Sequence, residues 1–242
     1  MNLSKRTVLR LHLHMLRDQI ILALDVPTEE EAFLWMHRLQ SRVGCFKIGL
    51  QLFCAYGPGL VQRATTLGIP LFLDLKLHDI PNTVASAIRS LNGLNIRFLT
   101  LHTQGGTAMI ESALEASESV PGMQLLGVTV LTSLSDQDME ILGIPRTASE
   151  HALHLARSAS RAGLNGLVCS PHEASAIRDT LPDIQALITP GVRPVGSESG
   201  DQSRITTPQQ AIQEGASHVV LGRPVLRAEN PEAVLDSLLV NV

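Results

Sequence analysis

The chain has 242 residues, a formal net charge of −4, 44% hydrophobic but only 3% aromatic residues, and three cysteines. That length suits a single α/β barrel domain. The charge gives no electrostatic case for nucleic acid or an anionic membrane, and no apolar run is long enough to span a bilayer. Cys45, Cys54 and Cys169 are scattered and show no metal-binding spacing, so a reduced, cytoplasmic setting is expected.

Met1 to Arg17 carry Lys5, Arg6, Arg10 and Arg17 but no acidic residue. The segment lacks the apolar region and cleavage site of a signal peptide. Residues 1–18 therefore read as an N-terminal extension outside the core, or as the product of an upstream start codon, and 19–242 as the catalytic domain. From Gln19 a rhythm begins in which apolar runs end in polar or small residues and helical patterns follow. The spacing predicts strands over Ile20–Leu24, Cys45–Ile48, Pro70–Lys76, Phe98–His102, Gln124–Val130, Gly166–Cys169, Ala186–Thr189 and His218–Leu221. It predicts helices over Glu29–Ser41, Gly59–Leu67, Thr83–Leu91, Thr107–Ser117, Ala148–Ala162, His172–Thr180, Thr207–Glu214 and Pro231–Leu239. Thr28 with Glu31, and Thr207 before Pro208, have the character of helix starts. Strands alternating with helices over short connections argue for an α/β fold, a single (β/α)8 TIM barrel with parallel strands. A doubly wound open sheet would call for a Gly-rich turn after the first strand, where this chain has Asp25-Val26-Pro27-Thr28.

In such a barrel the carboxyl ends of the strands form the active site. Read in order they present Asp25, Lys47, Asp74 with Lys76, His102, Thr132, Ser170, Thr189-Pro190-Gly191 and Gly222-Arg223. The densest chemistry lies in Asp74-Leu75-Lys76-Leu77-His78-Asp79, where alternation sends Asp74 and Lys76 to the face opposite Leu73 and Leu75. Asp79 falls in the first turn of the next helix, before Pro81, so the Lys76 ammonium is expected between two carboxylates. Taken alone, Asp-x-Lys is more often a salt bridge closing a strand end. The company it keeps at the mouth favours chemistry instead. The last two loops carry Gly191, Arg193, Gly200, Gln202, Gly222 and Arg223. Glycines admit backbone N–H groups to an anion and arginines bind it bidentately, so a phosphate site is expected, with Val195–Ser203 as a lid. His102 is expected to be packed rather than catalytic, His78 structural, and His151 with His154 on a helix surface. Cys45 and Cys169 are expected to serve as small core hydrophobes.

Residues Asp74 to Thr83, Thr189 to Pro194, Gly200-Asp201-Gln202 and Val220 to Pro224 together resemble the bacterial orotidine 5′-phosphate decarboxylase family. Asp25 in Leu22-Ala23-Leu24-Asp25 and Lys47 in Phe46-Lys47-Ile48-Gly49 resemble its first two strand ends. The resemblance runs from about Gln19 to Leu239. It implies decarboxylation of orotidine 5′-phosphate to uridine 5′-phosphate and CO2, the last step of UMP synthesis, without cofactor or metal. It implies a homodimer with shared sites, in which Lys47, Asp74, Lys76 and the partner's Asp79 alternate in charge beside the scissile carboxylate and Lys76 protonates C6. By the same resemblance Asp25 and the partner's Thr83 hold the ribose, Thr132 and Gln202 attend the pyrimidine, and Arg193, Gln202, Gly222 and Arg223 attend the phosphate. The alternative is a related barrel that decarboxylates a sugar phosphate with Mg²⁺, or performs an aldol reaction on one. Such an enzyme is expected to carry an acidic metal ligand where this chain has Lys47. A non-catalytic nucleotide-binding protein of the same fold is disfavoured by the intact Asp74, Lys76 and Asp79 set.

Overall fold

The computed structural model describes residues 17–194 and 206–240. Eight strands, β1 (Ile20–Ala23), β2 (Cys45–Gly49), β3 (Leu71–Leu77), β4 (Ile96–His102), β5 (Gln124–Val128), β6 (Gly166–Val168), β7 (Ala186–Pro190) and β8 (His218–Leu221), pair in chain order. All the pairings are parallel, and β1 closes on β8 through Ile20 with Val219 and Leu22 with Leu221. The fold is a TIM barrel. Around it stand α1 (Glu29–Leu39), α2 (Leu50–Thr65), α3 (Pro81–Arg89), α4 (Gly106–Ser117), α5 (Asp136–Ile141), α6 (Ala148–Arg161), α7 (Pro171–Thr180), α8 (Pro208–Gln213), α9 (Arg223–Leu226) and α10 (Pro231–Val240).

The caps follow from the sequence. Thr28 Oγ1 accepts from the Glu31 amide at 3.3 Å, and Thr207 Oγ1 from the Gln210 amide at 3.2 Å. Three helices depart from expectation. α2 begins at Leu50, not Gly59, because the chain passes Gly57 (φ 61°, ψ −160°) and Pro58 as a kink, not a stop. α5 is held by a capping box in which Ser135 and Asp138 bind each other's backbone amides. α9 is a single turn that opens directly on Arg223.

Side chains alternate along each strand, which splits the core in two. Leu22, Phe46, Leu71, Leu99 and Leu187 face outward and merge with the helix residues Met36, Leu60, Ile88 and Met109. Ile21, Cys45, Phe72, Phe98, Leu126, Ile188 and Val220 form a separate cluster made only of strand residues, the barrel interior. One alternation further up, the same inward positions are Ala23 then Asp25, Lys47, Asp74 and Thr100. The interior pattern thus delivers polar groups from β1 to β4 onto one arc of the mouth.

At the amino end the interior is closed by His218 and Arg97. Arg97 lies over the Phe98 ring at 4.8 Å, and its Nη2 donates to His218 Nε2 at 3.1 Å. An acceptor Nε2 fixes the neutral tautomer with the proton on Nδ1, which then donates to Ser217 Oγ at 2.9 Å. Burial, and after it the Arg97 charge, pushes the His218 imidazole down to about 4 from its ordinary 6.5, against a weaker pull from Asp18.

Between pH 6.5 and about 4 the unfolded chain therefore binds a proton at His218 that the folded chain does not. Stability rises with pH wherever the unfolded state binds more protons, so this contribution is complete above 6.5 and is lost as pH falls through 4. The loss amounts to about 3 kcal/mol at 1.36 kcal/mol per unit. Urea unfolding at a series of pH values should show that decline in the native protein and a flatter profile in His218→Gln.

Candidate active site

The mouth holds a cleft of about 820 Å³, within the range of small-ligand sites. Its floor is apolar, with Phe72, Val128, Val168, Cys169 and Val220. Asp25, Lys47, Asp74 and Lys76 line it from the β1, β2 and β3 side, and Gly191, Arg193, Gly222, Arg223 and Arg227 from the ends of β7 and β8, with Gly222 next to Asp25. Thr132, exposed beyond β5, completes the rim.

The charged wall is a chain of ion pairs. Lys47 Nζ lies 3.6 Å from Asp25 Oδ1 and 3.3 Å from Asp74 Oδ2, and Lys76 Nζ donates to Asp74 Oδ1 at 2.7 Å. Side-chain exposure is 11% for Lys47 and 14% for Asp74, but 30% for Lys76 and 54% for Asp25. The two inner members are thus desolvated while the outer two reach the cleft. Burial pushes the Asp74 carboxyl up. The Lys47 and Lys76 charges, with hydrogen bonds from Lys76 and Thr100, outweigh it and hold the group below the ordinary carboxylate range. Room for this row comes from two glycines: a Cβ at Gly49 would lie 3.3 Å from Lys47 Nζ, and one at Gly222 would lie 3.3 Å from Asp25 Oδ2.

Lys76 reaches the row through an irregular backbone. The β3–β4 register runs Leu73 to Leu99 and then Leu77 to Leu101, so Asp74, Leu75 and Lys76 face Thr100 alone. Lys76 has φ of 50°, the only positive value at a non-glycine residue among the described residues. Asp79 does not complete a pair with Lys76 in its own chain. It is exposed, and its Oδ1 accepts from the Ile80 amide at 2.7 Å. Thr83, in the first turn of α3, is exposed as well, and neither lines the cleft.

At the cleft's β7 end the strand runs into Pro190 and Gly191, whose φ of 80° turns the chain toward Arg193. The Arg193 amide donates to Thr206 O at 3.1 Å, pinning the two ends of the β7–α8 connection together. Gln202 and the expected lid over Val195–Ser203 lie outside the described residues. Ser170 does not line the cleft. It caps α7, and its amide donates to Glu173 Oε2 at 3.0 Å. His102, half-buried at the carboxyl end of β4, lies against the exposed His78 ring, with centroids 5.4 Å apart. Burial, then the His78 and Lys76 charges, lowers its pKa. His151 and His154 stack on α6 at 6.1 Å. Cys45 and Cys169 are buried and unpaired, and burial pushes the Cys45 thiol up to about 12. Sequence reasoning missed Arg227, which lines the cleft from the end of α9, and Thr100. Thr100 gave no distinct signal, since threonine is common in strands.

A closed parallel barrel with charged walls and an apolar floor at its carboxyl end defines a TIM-barrel enzyme. The family model for "Orotidine 5'-phosphate decarboxylase / HUMPS family" matches residues 18–238. The chain is 42% identical to the orotidine 5′-phosphate decarboxylase of Shewanella sediminis over 90% of its own length and 94% of the relative's. It is 43% identical to that of Opitutus terrae over 92% and 97%. Among solved structures, the orotidine 5′-phosphate decarboxylase of Lactobacillus acidophilus superposes with a TM-score of 0.78 and 33% identity, covering 92% of this chain and 99% of that one. An uncharacterized conserved protein from Geobacillus kaustophilus gives a TM-score of 0.76 and 30% identity, covering 90% and 97%. The chain belongs to the orotidine 5′-phosphate decarboxylase family and is an enzyme.

Asp74 separates two lysines, so neutralising it leaves their like charges facing one another in a desolvated place. Breaking a buried pair by removing one partner costs on the order of 3 kcal/mol or more. Asp74→Asn is expected to lower the unfolding free energy from urea titration at pH 7 by that amount, while Asp25→Asn, at an exposed position, changes it by less than about 1 kcal/mol.

Proposed function

We propose that this enzyme converts orotidine 5′-phosphate to uridine 5′-phosphate and CO2 in pyrimidine biosynthesis, with Lys76 as the group that stabilises and protonates C6. The observation that carries the reading is the Lys76 ammonium, fixed by Asp74 at 2.7 Å in a cleft that arginines also line. Breaking the C6–carboxylate bond releases CO2 and leaves the electron pair in an sp² orbital that the ring cannot delocalise. A preorganised cation beside C6 stabilises that pair, then gives up an Nζ proton to form the C–H bond, and the neutral amine regains a proton from solvent. Lysine suits this because its charge is compact and transferable, which that of arginine is not.

Such a reaction calls for a barrier reduction on the order of 20 kcal/mol, more than one ammonium supplies. Arg193, Gln202, Gly222 and Arg223 are assigned to the phosphate, so that binding far from the reacting bond supports a closed, water-poor site. Asp25 is assigned to the ribose and Thr132 with Gln202 to the pyrimidine. Asp74 lies where it both orients Lys76 and repels the substrate carboxylate; preorganisation is the larger of the two effects. The exposed Asp79 and Thr83 are assigned to the neighbouring site of a homodimer, Asp79 as the fourth charge beside Lys76 and Thr83 to the ribose. Lys47 argues against the Mg²⁺-dependent alternative, because its ammonium occupies the space between the Asp25 and Asp74 carboxylates that a cation would need. Three cysteines, unpaired where described, accord with a cytoplasmic enzyme, and no described helix is long and apolar enough to cross a membrane.

The loss of orotidylate absorbance measures the reaction directly. The native enzyme should be active and unaffected by EDTA, and Lys76→Ala should fall below a thousandth of its kcat while still binding UMP. A variant with a tenth of native activity would remove Lys76 from its role. The shared site has its own test: mixing inactive Lys76→Ala and Asp79→Ala chains should restore up to about a quarter of native activity, because one of the two sites in a mixed dimer is then intact. Self-contained sites would restore none.

A further inference from the structure

Thr100 has no assigned part in the site, yet it sits at its mechanical centre. It is fully buried, on the inward face of β4, and its Oγ1 makes two hydrogen bonds of opposite sense. It accepts from the Lys76 backbone amide at 2.9 Å and donates to Asp74 Oδ1 at 2.9 Å. The same Asp74 oxygen accepts from Lys76 Nζ at 2.7 Å. The result is a closed ring that runs from the backbone of Lys76 through a hydroxyl and a carboxylate to the ammonium of that same residue.

The ring answers a specific structural need. Three residues of β3 face Thr100 alone, which leaves Lys76 in the left-handed region at φ 50°. A non-glycine residue persists there only when its surroundings over-determine it. The Thr100 hydroxyl takes up the amide of Lys76 at this break in the ladder. Its proton also fixes which Asp74 oxygen faces the lysine, since a hydroxyl that accepts from an N–H is left to donate elsewhere.

We infer that Thr100 is a positioning residue for the reaction: its hydroxyl locks the left-handed backbone of Lys76 to the Asp74 carboxylate and thereby sets where the ammonium stands. This rests on the decarboxylase reading for its kinetic consequence but not for its geometry. The Asp74 carboxyl, held low in part by the Thr100 hydrogen bond, is expected to follow the same substitution.

Thr100→Val keeps the volume and the β-branch and deletes both hydrogen bonds. The expected result with orotidylate is a ten- to hundred-fold loss of kcat, less than a three-fold change in the UMP dissociation constant, and an acid limb of kcat/KM moved to higher pH. Thr100→Ser, which restores the hydroxyl, should return to within three-fold of native kcat, a rescue that a packing role would not give. A valine variant with at least half the native kcat, or a serine variant as impaired as valine, overturns the inference. Should valine prevent folding, Thr100→Ala takes its place in the comparison with serine, under the same criteria. A crystal structure of the valine variant decides the geometry without reference to the substrate: Lys76 leaving the left-handed region supports the inference, and Lys76 unmoved overturns it. An inactive native enzyme would instead remove the decarboxylase reading and leave this crystallographic test standing.

Discussion

A carboxylate held between two ammonium groups, out of bulk water, is the constraint around which the mouth of this barrel is built. Asp74 can stay ionised at 14% exposure only because Lys47 and Lys76 approach it from two sides at 3.3 and 2.7 Å. Each lysine depends on it in turn, since neither could be desolvated beside the other without an intervening negative charge. The surrounding features follow from this arrangement. Gly49 and Gly222 stay small because a Cβ at either would crowd Lys47 or Asp25. At the break in the β3 ladder, where Lys76 takes up a positive φ, its ammonium meets Asp74 at 2.7 Å.

The two ends of the barrel handle buried charge in opposite ways. At the amino end Arg97 meets a neutral imidazole, and His218 gives up its protonated form so that the guanidinium has an acceptor. Nothing there needs to change protonation or admit a ligand, and the pair closes the barrel under Phe98. At the carboxyl end each cation meets a full negative charge, and the outer lysine stays 30% exposed to the cleft. The first arrangement serves the fold. The second keeps a charged group facing a cavity, and this division by end is the rule for the fold class.

The strands were legible because an interior built from Leu, Ile, Val and Ala on both faces of a parallel sheet leaves short, nearly continuous apolar runs. Strand ends differ from the expected ones by a residue or two, as at β4, which starts at Ile96, and β5, which ends at Val128. The helices were harder to read. Gly57-Pro58 has the composition of a breaker, yet the chain resumes its helix after one non-helical residue, so α2 is longer than its pattern implied. α5 and α9 are too short to show periodicity. Asp25, Lys47, Asp74 and Lys76 could be placed at one mouth because inward alternation continues past the apolar layer into the polar one. Thr100 could not, because a threonine in a strand satisfies ordinary β propensity. Asp79 was misplaced by spacing, which set it near Lys76, whereas within the chain its carboxylate accepts from the Ile80 amide.

Lys47 carries the most information per residue about the chemistry. With a lysine on β2, the charges of Asp25, Lys47, Asp74 and Lys76 cancel, and the arginines that also line the cleft leave it positive overall. A cleft of that sign attracts an organic anion. An acidic residue at the same position would make the wall a cluster of three carboxylates against one ammonium, drawing in a divalent cation before any organic anion. The sign of one side chain on β2 therefore decides whether this row of charges closes on itself in ion pairs or opens as a cation site.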